Sequence, residues 1–170
     1  MYRLRKSIGV IASLTLSLNA HAQRMTAAHS DGTVLFICEH GTVKSLLAKV
    51  LFERYANESG LQMDALSRGT AVDSVVPPWM RSALAADHFN LGTWQPKALA
   101  PADLAKATYI VSFDVPTQAS AGAKAPRAQW DGLPSVSQDY ATGRDAINER
   151  VHRLVDSLKR AHPTRRPKPD

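Results

Sequence analysis

Two hydrophobic periods alternate along the chain between Thr33 and Arg160. Val34 to Ile37 is a continuous apolar run bounded by Asp31-Gly32 and by Cys38-Glu39-His40-Gly41. It is too short for a helix and reads as a strand buried on both faces. Leu46, Leu47, Val50, Leu51 and Tyr55 then recur at helical spacing, with Lys49, Glu53 and Arg54 on the opposite side. Gly60 fits the position just past that helix. Leu61 to Thr70 alternates apolar and polar residues and predicts a second strand, and Pro78 to His88, carrying Trp79, Met80, Ala83 and Leu84, predicts a second helix. Pro101 suits the first turn of a short helix. Thr108 to Asp114 is the most strand-like segment, rich in β-branched and aromatic residues. Residues 115–128 read as a long loop, with a short strand expected around Ala128 to Trp130. Ile147, Val151, Leu154, Val155 and Leu158 place a last helix over Tyr140 to Arg160.

Strands alternating with helices imply a parallel sheet covered on both faces. Ligands of such sheets bind beyond the carboxyl ends of the strands. Cys38 directly follows the first strand, at that edge.

The two ends follow other rules. Arg3, Arg5 and Lys6 precede an apolar stretch from Ile8 to Leu18, and Ala20-His21-Ala22 supplies a small–x–small cleavage pattern. Residues 1–22 therefore read as a secretory signal peptide cleaved after Ala22, addressing the protein to the periplasm or beyond. The apolar core is shorter than the ~20 residues a membrane span needs, so no stable span is expected after cleavage. Removing this leader lowers the formal net charge from +6 to +3. Residues 161–170, ending in the Pro-rich, charged "HPTRRPKPD", read as a disordered basic tail. The remaining chain, 33–160, has the length of one domain. The low aromatic fraction of 6% and the lack of a DNA- or RNA-binding motif argue against nucleic acid as a partner. Nothing in the sequence identifies a protein partner.

One cysteine in 170 residues excludes an intramolecular disulfide and leaves two readings, an inert buried thiol or a reactive one. The surroundings favour reactivity. "CEHGTVKS" runs from Cys38 through Glu39, His40, Gly41, Thr42, Val43 and Lys44 to Ser45, where the helix begins. Backbone N–H groups at a helix start lack internal partners, and the helix dipole favours negative charge there. A loop wound around that point can aim several N–H groups at one tetrahedral anion. Gly41 supplies the positive φ that such a turn requires. Lys44 adds a cation, and the Ser45 hydroxyl can donate to the sulfur, which is how a nucleophile is activated. His88, His152 and His162 lack metal-ligand spacing, and no dinucleotide fingerprint is present, so neither metal nor organic cofactor is expected.

The segment "VLFICEHGTVKSLLA" resembles the signature of the low-molecular-weight protein-tyrosine-phosphatase superfamily, which includes arsenate reductases of the same fold. That signature is a hydrophobic strand, Cys, five residues, Arg, Ser or Thr, then a helix. "SRGT" from Ser67 to Thr70, "DLAKATYIVSFD", and "QWDGLP" followed by "RDAI" resemble later segments of the family, in order. The resemblance implies a three-layer α/β fold with a doubly wound, four-stranded parallel sheet. It also implies hydrolysis of phosphomonoesters, including phosphotyrosine, through a cysteinyl phosphate. In that scheme Cys38 is the nucleophile, the backbone of residues 39–45 holds phosphate, and Lys44 neutralises its charge.

This chain departs from the pattern in four places. Lys44 replaces the family's Arg, substituting a point charge for a planar fork. Glu39 places a negative side chain beside the nucleophile. His40 stands where the family often has a small residue, either lining the pocket or simply exposed. The family's acidic proton donor aligns near Ser135, leaving Asp131, beside Trp130, as the expected substitute and Asp139 as the next carboxylate. Asp114 suits a turn or a loop-orienting role, and Arg68 could reach the anion loop. Two other readings remain open: a catalytically impaired protein that binds oxyanions, and an arsenate reductase dependent on an external thiol.

Overall fold

The computed structural model describes residues 30–162. The expected signal peptide and all but the first two residues of the expected tail lie outside them. Four strands form one all-parallel sheet: β1 (Thr33–Cys38), β2 (Asp64–Gly69), β3 (Tyr109–Ser112) and β4 (Arg127–Gln129), in the spatial order β2-β1-β3-β4. The helices are α1 (Lys44–Ser59), α2 (Pro78–Ala86), α3 (Pro101–Lys106) and α4 (Tyr140–Ala161), and a short 3-10 turn covers Thr117–Ser120. The predicted doubly wound sheet is therefore present.

β1 is central, and every one of its residues is buried. Its side chains divide by parity, as the strand period of two requires. Val34, Phe36 and Cys38 face the larger core, which includes apolar residues of α1, α2 and α4, while Leu35 and Ile37 join Ile110, Ala107 and Val115 on the other face, under α3 and residues 115–125. Cys38 thus projects to the same side as α1. Phe36, two residues before it, stands among Phe52, Phe113 and Trp130, with ring centroids 5.9–6.5 Å away. Phe113 and Trp130 meet edge to face at 5.4 Å. This aromatic block is the floor on which the edge carrying Cys38 rests, and truncating Phe36 to Ala would cost roughly 3–5 kcal/mol.

Local chemistry sets the element ends. Gly60 ends α1 with φ 73°, its N–H donating to Asn57 O while Leu61 N–H reaches back to Ala56 O at 2.8 Å. Asp139 caps α4 by accepting the Thr142 N–H at 3.1 Å. Asp139, the second carboxylate near the expected proton-donor position, is therefore a helix cap. Hydrogen bonds from Thr142 hold its carboxyl below the usual range.

β2 and β3 are shorter than their sequence patterns. β2 begins at Asp64, because Leu61 and Met63 are buried in the turn that follows α1. β3 stops at Ser112, because Asp114 takes a left-handed conformation, φ 49°. That bend turns the chain across the sheet edge toward Cys38.

Candidate active site

The loop from Cys38 to Ser45 is held from behind by β2 and the residues after it. Thr70 N–H donates to Cys38 O at 3.1 Å, Ala71 N–H to Glu39 O at 2.8 Å, and Asp73 N–H to His40 O at 3.1 Å. The Ser67 hydroxyl donates to Gly41 O at 3.0 Å. Four successive loop carbonyls are thus occupied on the outer side. Gly41 N–H, by contrast, points inward to Cys38 Sγ at 3.2 Å. The N–H groups of Glu39, His40, Thr42 and Val43 find no protein acceptor among the described residues. Unpaired backbone donors at a helix start are what an oxyanion requires.

Glycine is obligatory at two contacts of this loop. Gly41 has φ 72°, and a Cβ there would lie 2.8 Å from Gly69 N. A Cβ on Gly69 would in turn lie 2.8 Å from His40 C. Backbone rests directly on backbone, and this fixes the curvature of the loop.

Cys38 is 6% exposed. Beside the Gly41 N–H, its sulfur meets Ser45 Oγ at 3.0 Å. The single Ser67 proton is shared between Gly41 O and Ser45 Oγ, 2.8 Å away, so a two-hydroxyl chain runs from β2 to the sulfur. Ser45 and Ser67 are buried, and among the described residues every buried side-chain polar atom has a partner. An inert core cysteine has no need of such an arrangement. Hydroxyl and N–H donors aimed at a sulfur are what a nucleophilic cysteine uses.

Above the sulfur opens a pocket of about 270 Å³ lined by Cys38, Glu39, His40, Val43, Lys44, Phe113, Asp114, Ser135, Val136 and Ser137. The first-strand edge, the start of α1, the end of β3 and the loop before α4 converge there. Larger clefts lie along residues 81–92 and beside α3, away from the thiol.

Lys44 does not stand free. Its ammonium donates to Asp114 across the pocket mouth. Burial pushes the Asp114 carboxyl up, but the Lys44 hydrogen bond, the Gly132 N–H and the Lys44 charge together hold it below the usual carboxylate range. Asp114 also accepts the Gly132 N–H at 3.0 Å through its other oxygen, while its own N–H donates to Asp131 Oδ1 at 2.7 Å. Asp131 accepts a further bond from Gln129 Nε2 at 2.9 Å. Asp131, expected as the proton donor, is placed as a clasp between the ends of β3 and β4, and the pocket wall carries Ser135 and Ser137 instead.

Arg68 does not reach the loop. It makes a bidentate pair with Asp103 of α3, Nε to Oδ2 at 2.8 Å and Nη2 to Oδ1 at 2.7 Å. The parity of β2 explains this: Ser67 faces the thiol side, so Arg68 must face α3. Thr42 is fully buried and donates to Asp73 Oδ2 at 2.7 Å, and Asp73 Oδ1 lies 3.1 Å from His40 Nδ1. Asp73 carried no sequence signal of its own, because it meets the loop only through the return of the chain after β2.

Comparison places this geometry among known proteins. Residues 33–130 match the family described as Low molecular weight phosphotyrosine protein phosphatase. Sequence comparison with curated proteins gives no match. Solved structures share the fold. YfkJ from Bacillus subtilis superimposes with a TM-score of 0.69 at 17% identity, covering 78% of this chain and 98% of that one. The YwlE arginine phosphatase from Geobacillus stearothermophilus gives 0.66 at 16% identity, with 81% and 99% covered. A thioredoxin-dependent arsenate reductase from Corynebacterium glutamicum gives 0.63 at 23% identity, with 79% and 65% covered. The matched segment runs from β1, through the thiol loop, to Trp130 behind the pocket, and on that match the chain belongs to the low molecular weight phosphotyrosine protein phosphatase family.

Proposed function

We propose that this protein is an exported phosphatase that hydrolyses phosphomonoesters, phosphotyrosine among them, through a cysteinyl phosphate on Cys38. One observation carries the reading: Cys38 Sγ sits at the floor of an open pocket, held by Ser45 Oγ at 3.0 Å and Gly41 N–H at 3.2 Å. In the reaction the thiolate attacks phosphorus while the N–H groups of residues 39–45 hold the equatorial oxygens. Lys44 turns from Asp114 toward the phosphoryl group, and water then releases phosphate from sulfur. The test is hydrolysis of p-nitrophenyl phosphate by the protein and by Cys38→Ser. Turnover that disappears with the thiol supports the reading, and turnover that survives Cys38→Ser rejects it. The export address is tested by fractionation, with a mature N-terminus at Gln23 expected.

The Lys44–Asp114 pair supports a second reading, an oxyanion-binding protein without turnover, because it engages the only Lys or Arg side chain in the pocket wall among the described residues. Protection of Cys38 from alkylation by phosphate or vanadate, with no hydrolysis, would select it.

A further inference from the structure

The pocket raises a specific question: which group protonates the departing oxygen? Ser135 and Ser137 have no acidic proton to give near neutrality. Asp114 is paired with Lys44 and held in its ionised form, and Asp131 is tied to Asp114 N–H and Gln129 outside the wall. Two wall groups remain, Glu39 and His40.

His40 has the construction of a proton donor. Its Nδ1 lies 3.1 Å from Asp73 Oδ1. Asp73 is itself fixed twice, by the Thr42 hydroxyl on Oδ2 at 2.7 Å and by its own N–H on His40 O at 3.1 Å. A carboxylate anchored to the same loop thus stands in charge contact with the imidazole on its Nδ1 side. Its Nε2 is 3.6 Å from Glu39 Oε2, too far for a hydrogen bond, so among the described residues that nitrogen is not committed. The side chain is 55% exposed, which leaves room for a leaving group to meet it. Imidazole is the side chain that ordinarily exchanges a proton around neutrality, and an orienting carboxylate on one ring nitrogen prepares the other for proton transfer. The charged groups facing His40 are Glu39 on its own loop and Asp73 from the segment after β2, with the Lys44–Asp114 pair across the pocket.

We propose that His40, oriented by Asp73, is the general acid and base of this site, an inference that rests on the phosphatase reading above. In the first step the Cys38 thiolate forms the S–P bond as the P–O bond breaks, and the departing oxygen takes the proton from His40 Nε2. In the second, neutral His40 takes a proton from water as that oxygen attacks phosphorus. The P–S bond breaks, the electron pair returns to sulfur, and inorganic phosphate leaves.

The experiment compares kcat/KM for phenyl phosphate, whose leaving group needs a proton, with that for 2,4-dinitrophenyl phosphate, whose leaving group does not. It uses the protein, His40→Gln, Asp73→Asn, Glu39→Gln and Cys38→Ser. General acid catalysis contributes ~100-fold or more. His40→Gln should therefore lower phenyl phosphate hydrolysis by at least that factor beyond its effect on the dinitrophenyl ester, and should abolish the alkaline limb of the phenyl phosphate pH profile. Asp73→Asn should show a smaller split in the same direction. Equal losses on both esters, or a split produced by Glu39→Gln in place of His40→Gln, would overturn the assignment to His40 while leaving the phosphatase intact. Failure of the protein to hydrolyse even the dinitrophenyl ester would remove the phosphatase reading, and this inference with it.

Discussion

Lys44 and Asp114, seventy residues apart, close an ion pair over the mouth of the pocket that holds the only thiol. An incoming dianion must compete with Asp114 for Lys44, and it must enter past a second negative charge. The pair also fastens the start of α1 to the loop after β3. The site in its resting form is therefore electrostatically satisfied, and binding an anion requires an exchange of partners.

Asp114→Asn should free the ammonium. Coulombic opposition across the mouth falls, so the apparent Kd for vanadate is expected to drop by about 3- to 10-fold, an energy of ~1 kcal/mol typical of a partly screened pair. Asn can still accept the Gly132 N–H that Asp114 accepts at 3.0 Å, so the clasp with residues 131–132 survives. Vanadate titration of the tyrosine and tryptophan fluorescence would measure the change. A weakened affinity would mean that Asp114 holds Lys44 in position for the anion and does not compete with it.

The same pair gives a pH dependence of stability. The folded-state pKa of Asp114 is lowered, so its contribution is fully present above the ordinary aspartate value of about 3.9. It is lost as pH falls from there through the folded value. Both side chains retain solvent contact, which limits the effect to under ~1 kcal/mol. Urea denaturation of the protein should therefore show a midpoint that falls below about pH 4, and Asp114→Asn should flatten part of that fall. Parallel curves for the two proteins would assign the acid sensitivity elsewhere, with Asp103 the next carboxylate to test.

How far this site was legible depended on the distance between partners along the chain. The thiol, the loop glycine and Ser45 were readable because strand, turn and helix start are contiguous, and β1 carries an unbroken apolar run. Gly60 and the apolar face of α4 were readable for the same local reason. The contacts that decide charge and proton transfer are non-local: Lys44 to Asp114, His40 to Asp73, Ser45 to Ser67 and Arg68 to Asp103. Each depends on which strand neighbours β1, or on the conformation of a connecting segment. Periodicity reports burial and local geometry but is silent on such pairings. Alternation in β2 did hold a usable clue, since Ser67 and Arg68 must point to opposite faces.

Lys44→Arg tests whether the missing fork limits the chemistry. A guanidinium can make two parallel hydrogen bonds to equatorial phosphoryl oxygens, where an ammonium is a single mobile charge. If those bonds strengthen in the transition state, kcat for p-nitrophenyl phosphate should rise by about 10- to 100-fold, part of the ~3–4 kcal/mol that one aimed donor can supply. The enlarged side chain must also leave Asp114, and that caps the gain. A fall in KM with unchanged kcat would mean that arginine improves only ground-state binding.

Arg68→Ala separates scaffold from site. The Arg68 and Asp103 side chains are only 13% and 12% exposed, and their bidentate pair joins β2 to α3 on the face opposite the thiol. Removing the cation leaves a poorly solvated carboxylate, whose pKa burial raises and Arg68 otherwise holds down. A loss of ~2–3 kcal/mol in unfolding free energy is expected, below the ~3–5 kcal/mol of a fully buried broken pair because both side chains keep some solvent contact. Cys38 alkylation and its protection by phosphate should stay the same. A change in either would mean that Arg68 reaches the anion pocket through the Ser67 backbone, whose carbonyl it contacts at 2.9 Å.

Gly41→Ala should fail at the loop itself. The residue adopts φ 72°, and its Cβ would press to 2.8 Å from Gly69 N, which is backbone and cannot step aside. A left-handed alanine costs roughly 1–2 kcal/mol before any clash is counted. Relief requires the loop to move away from β2, and that withdraws the Gly41 N–H from Cys38 Sγ and Gly41 O from the Ser67 hydroxyl. The expected outcome is a modest loss in urea midpoint together with complete loss of phosphate protection against alkylation. The core does not depend on this loop, because the apolar residues of β1 pack beneath it. A variant that keeps phosphate protection would show that the anion is held by side chains, and that the curved backbone donors of residues 39–43 are dispensable.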